Sequence, residues 1–153
     1  MASIAEALAY CNQLLREHGL WEQGWRAAAD MAKRRAGVCR YRRRIIGLSA
    51  PLTALNTWEQ TVDTIRHEIA HALVGPGHAH DAVWQAMATR LGAAPKACCV
   101  MKTPPGRYQL HCKRCGKLVR EYHRRPRMNF AQAWASCCGR EGLGHLQLIA
   151  VED

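Results

Sequence analysis

Apolar residues recur at Ile4, Leu8, Cys11 and Leu15, the i, i+4, i+7, i+11 spacing of one helix face. Ser3, with Glu6 three residues later, predicts the start of that helix and Gly19 its end. From Trp25 to Ser49 the pattern is short; Gly37 and Gly47 punctuate it, and Ile45-Ile46 predicts a strand. Asn56 or Thr57 then caps a long helix with the apolar stripe Val62, Ile65, Ile69 and Leu73, and Gly75-Pro76-Gly77 terminates it. A further helix runs from about Asp81 to Leu91, with Val83, Trp84, Met87 and Leu91 facing inward and Gly92 as its stop. After Ala93-Ala94-Pro95 the character changes. Cysteines, arginines and strand-like segments take over, and Thr103-Pro104-Pro105-Gly106 forms a junction. The pattern predicts an α+β protein in two parts: a mixed unit over residues 1–103 and a small Cys- and Arg-rich unit over 104–153.

Composition narrows the class. With 153 residues and 48% hydrophobic residues, wholesale disorder is excluded. The uncharged stretch from Gly47 to Trp58 is too short to span a bilayer, and the first residues lack a signal peptide's basic and apolar regions. The expected location is the cytoplasm, nucleoid-associated if DNA is a partner. Thiols stay reduced there, so the eight cysteines suggest metal ligands before disulfides. The net charge of +10 is concentrated. Lys33 to Arg44 holds seven basic residues and no acid, and Lys102 to Arg127 holds nine against the single Glu121. Such clusters are the electrostatic footprint of a polyanion, most often nucleic acid; the bland reading is a solvated basic face.

The long helix carries His67-Glu68-Ile69-Ala70-His71, an HExxH motif. Residues four apart share a helix face, so both imidazoles can reach one Zn²⁺, with Glu68 beside it to take a proton from water. The third ligand separates the classes that use this motif. A metzincin needs Gly at 74 and His at 77, where this chain has Val74 and Gly77. A thermolysin-like site needs a later glutamate, and none occurs between Glu68 and Glu121. His78 and His80 remain. His80 is favoured, because Trp84 lies four residues on and can pack beneath it; His78 is the alternative, as a turn residue or a partner of a ligand.

Thr64-Ile-Arg-His-Glu-Ile-Ala-His-Ala-Leu-Val-Gly75, followed by His80-Asp-Ala-Val-Trp84, resembles the SprT-like metalloprotease family, which includes Spartan-type DNA–protein crosslink proteases. Trp25, a Gly37 turn and Ile46-Gly-Leu-Ser49 resemble that family's sheet region. The resemblance implies a zincin-like zinc endopeptidase domain, with His80 as third ligand and Glu68 as catalytic base. It also implies a zinc ribbon and DNA binding. Asp81 departs from the pattern, which commonly has Gly after the third histidine.

In the tail, Cys112-Lys-Arg-Cys115-Gly116 is a zinc knuckle, with strand-like segments from Arg107 to His111 and from Leu118 to His123 on either side. The partner knuckle is irregular: Cys138-Gly139 matches it, but Ala135 stands where the second cysteine is due. Cys137 is the candidate fourth ligand although adjacent cysteines chelate awkwardly, and His123, His145, Cys98 and Cys99 are others. Two zinc ions are expected, one catalytic and one structural. Arg114, Lys117, Arg120, Arg124, Arg125 and Arg127 surround the knuckle, with Tyr108 and Tyr122 near for stacking, and are the candidate DNA contacts. Cys11 reads as core, and Cys39 has no evident role. The rival to a DNA-directed peptidase is a nucleic-acid-binding ribbon on a metal-stabilised domain that cuts nothing. Glu68 separates them, since a structural zinc site closes with four protein ligands and has no use for a glutamate there.

Overall fold

A computed structural model of the chain describes residues 2–97, 100–139 and 144–151. They form two compact units, Met1–Pro104 and Pro105–Asp153. The architecture is α+β, with one small sheet in each unit.

In the first unit, helix α1 (Ile4–Glu17) is followed by strands β1 (Arg26–Asp30), β2 (Gly37–Arg40) and β3 (Ile45–Ser49), with a 3₁₀ turn at Tyr41–Arg43. Helices α2 (Ala50–Leu55), α3 (Trp58–Val74) and α4 (Ala82–Arg90) complete it. The sheet order is β1-β3-β2, with β1 parallel and β2 antiparallel to β3. The central strand is the most apolar, and Ile46 and Leu48 are buried there. Ala7, Cys11 and Leu15 of α1 and Ile65 and Ile69 of α3 join them with Leu20 and Trp25 in one core. Each fully buried Leu or Ile contributes about 1.5–3 kcal/mol, so this core holds α3 against the sheet and fixes which of its faces turns outward.

Local chemistry sets the ends of α3. Thr57 caps it in a reciprocal box with Gln60, each side chain bonding the other's backbone N–H. Asn56 does not cap that helix. Its side chain holds Lys102 on both backbone groups, donating to the carbonyl at 2.9 Å and accepting from the N–H at 2.8 Å. Ser3 flanks α1 without a side-chain cap bond. Gly37 is no turn; it is the first residue of β2, opposite Leu48. Asp81 caps α4 by accepting from the N–H groups of Val83 and Trp84. That fixes the phase of the helix: Trp84 and Ala88 point inward, while Val83 is 50% exposed, against the inward position its sequence suggested.

The second unit is a three-stranded antiparallel sheet, order β5-β4-β6, built from β4 (Tyr108–Cys112), β5 (Leu118–Tyr122) and β6 (Leu146–Ala150). Leu110, Cys112, Ala135 and Leu146 form its core. Among the described residues, no helix is long and apolar enough to cross a membrane.

Candidate metal centre

Helix α3 places His67 and His71 one turn apart on one face, and the chain after Gly75 returns His80 to them. Their three Nε2 atoms form a triangle with sides of 3.3, 3.2 and 3.1 Å. Ligands arranged tetrahedrally on an ion with metal–nitrogen bonds of about 2.0–2.1 Å lie about 3.3 Å apart. The triangle therefore has the spacing of three corners of such a coordination sphere. Among the described residues no fourth His, Cys, Asp or Glu joins the group, which leaves one position open. Burial, and then the nearness of His71 and His80, pushes the His67 imidazole down to about 4. Burial and His80 also lower His71. Neutral rings with free lone pairs are what metal ligation requires.

Trp84 is the floor of the site. It is fully buried, with ring centroids 4.5 Å from His67, 5.1 Å from His71 and 4.5 Å from His80. His78 points elsewhere: its Nδ1 lies 2.7 Å from Asp81 Oδ2, and it is outside the three-histidine group. Asp81 thus caps α4 with one oxygen and holds His78 with the other, securing the turn that delivers His80. The Tyr41 hydroxyl lies 3.2 Å from the His71 carbonyl and 3.3 Å from that of Gly75, tying the end of α3 to the segment after β2.

Glu68 shares α3 with two of the histidines but points toward β2. It is only 8% exposed and is not part of the ligand group. Burial pushes its carboxyl up to about 7, against the Arg35 charge and a hydrogen bond from the Cys39 backbone N–H. Beside Glu68 and His67 lies a cleft of about 460 Å³ lined in part by Arg35, Gly37, Leu52, Thr64 and Met101. Arg35 is anchored on Asp30 at 2.7 Å, as is Arg40 at 3.2 Å. Gly37, Cys39 and Tyr41 were not legible as site residues. Their contacts reach α3 across about 30 positions of sequence, and no local spacing signals them.

In the second unit Cys112, Cys115, Cys137 and Cys138 bring their four sulfurs together. Cys112 and Cys138 Sγ are 3.8 Å apart, the separation of about 3.8 Å that tetrahedral ligands have at metal–sulfur bonds of about 2.3 Å. Gly116, at φ 72°, makes the tight turn after the knuckle. The Cys115 backbone N–H, against the cost of desolvation and with help from the Arg114 N–H, holds the Cys112 thiol down at about 7. Adjacent Cys137 and Cys138 both reach the cluster, while Ala135 is buried in the unit's core. His123 and His145 stay outside the group, and Cys98 and Cys99 lie outside the described residues. Arg114, Lys117, Arg120, Arg124, Arg125 and Arg127 are all exposed, and the Arg120 guanidinium lies 5.3 Å over the Tyr122 ring.

Fold and sites define a mixed α+β protein with two groups able to hold metal ions, one of three histidines and one of four cysteines. The SprT-like family model matches residues 5–104, and the chain belongs to the SprT-like family. No curated protein and no solved structure matches it.

Proposed function

We propose that the chain is a zinc-dependent endopeptidase with a zincin-like active site, acting on proteins associated with or crosslinked to DNA. The observation that carries this reading is the contrast between the two groups. Four cysteines can close a coordination sphere, as a structural site does. Three histidines leave a position open, and Glu68, a buried carboxylate outside the group, lines one cleft with His67. Membership of the SprT-like family supports the same reading.

His67, His71 and His80 would hold the catalytic zinc, and Cys112, Cys115, Cys137 and Cys138 a structural one. Zinc in the first site supplies Lewis acidity, polarising a peptide carbonyl and acidifying water. Glu68 accepts the proton of the attacking water and delivers it to the leaving amine. Trp84 keeps the histidine rings apart from bulk solvent on one side, and the cleft lined by Leu52, Thr64 and Met101 receives substrate beside Glu68. The exposed arginines of the second unit bind DNA through phosphate, which favours affinity over sequence preference.

The test is Glu68→Gln. The variant is expected to keep its metal and its melting temperature while peptide-bond cleavage falls by at least the roughly 10²–10⁴-fold that a general base contributes. Undiminished cleavage by a preparation free of other proteases overturns the assignment.

A further inference from the structure

Strand β2 crosses α3 at Gly37, where the Glu68 and Thr64 side chains leave no room for a Cβ. A Cβ on Gly37 would lie 2.7 Å from Glu68 Cγ, 2.8 Å from Glu68 Oε1 and 2.9 Å from Thr64 Cγ2. Two residues along the same strand, the Cys39 backbone N–H lies near enough to favour the charged form of the Glu68 carboxylate. The carboxylate is therefore packed against β2 at Gly37 and faces the Cys39 N–H further along the strand.

The surroundings are fixed. Strand β2 is held along one side by its ladder with β3, where Gly37 pairs with Leu48 and Cys39 with Ile46. Thr64 is held by its hydroxyl, which donates to the Gln60 carbonyl at 3.0 Å, so its methyl cannot swing aside cheaply. Of the groups around Gly37, the Glu68 side chain is the one free to move. We infer that Gly37 is a positioning residue for Glu68: lacking a side chain, it lets the backbone of β2 close on the carboxylate and hold it against the Cys39 N–H. The inference rests on the proposed role of Glu68 as base. It adds that the base is oriented by a strand, through a glycine whose own backbone needs no special conformation. Misplacing a reacting group by about 1 Å costs on the order of 10²-fold in rate.

Gly37→Ala tests this in the full-length, zinc-loaded protein. Zinc content is expected to be unchanged and KM to stay near the wild-type value, while kcat falls on the order of 10²-fold. The Cys39 amide resonance should move, reporting displacement of the Glu68 carboxylate without any activity assay. Added to Glu68→Gln, Gly37→Ala should cost nothing further, since its effect passes through the carboxylate. Wild-type kcat in Gly37→Ala overturns the inference. If Gly37→Ala does not fold, Glu68→Ala in the same chain should restore folding by vacating the space the methyl needs, and failure to do so is equally fatal. If the wild type cuts no peptide, the endopeptidase reading fails. The Cys39 resonance then decides the inference alone: moved in Gly37→Ala it stands, unmoved it falls.

Discussion

Single residues carried most of the legible chemistry where their partners are close in sequence. His67, Glu68 and His71 are fixed by helical periodicity, while the spacing to Trp84 together with the family resemblance favours His80 over His78. The choice between His78 and His80 needed coordinates, because both lie in the same short connection. Asp81 settles their placement: it engages His78 and starts α4 so that His80 lies over Trp84. Changes in groups that merely orient a ligand weaken metal binding by about 10–100-fold, and removing a ligand costs more. His80→Ala should therefore lower zinc content of the first site well below that of His78→Ala, measured as metal per chain after dialysis. The reverse order would give His78 the ligand role. Gly37 and Cys39 were invisible to the same reasoning, since what they touch is a glutamate about 30 residues away.

At the scale of elements, α3 was readable because its signals agree: a Thr57–Gln60 cap, the Ile65 and Ile69 stripe and a glycine stop. Strand β1 was not. Its sequence Arg-Ala-Ala-Ala-Asp has little strand propensity, and pairing with β3 overrides it. Helix α2, six residues long, is too short for periodicity to show. Removing the cap by Thr57→Ala should cost about 1 kcal/mol and lower the melting temperature by a few degrees, with metal retained. Asp30, at the end of β1, provides a pH test. Burial raises its carboxyl, but hydrogen bonds from Arg35 and the Ala32 N–H, with the charges of Arg35 and Arg40, outweigh that and hold it below the ordinary aspartate value of 3.8. A carboxylate whose folded pKa is depressed contributes its stability above the unfolded value and loses it as pH falls through the folded one. Asp30→Asn should thus lower the melting temperature at neutral pH and flatten its decline below about pH 4. Parallel wild-type and variant profiles through that range would remove Asp30 from the account.

Across the whole molecule, charge and cysteine content made the contrast between the two units plain, whereas the adjacent Cys137 and Cys138 obscured how the second cluster is completed. The proposed division of labour gives peptide cleavage to the first unit and a share of DNA binding to the second. Neutralising Arg124, Arg125 and Arg127 should reduce the slope of log affinity against log salt by about 2–3 and leave cleavage of a free peptide unchanged. An unchanged slope would return them to a solvated basic face. The claim that two different metal centres coexist, only one of them catalytic, is met most directly by counting zinc in the purified protein and in its His67→Ala and Cys112→Ser variants while assaying peptide cleavage in the same samples. The expected result is two zinc ions per wild-type chain and one in each variant, with cleavage lost in His67→Ala and kept in Cys112→Ser. Full cleavage by a His67→Ala chain that still holds two zinc ions would contradict it.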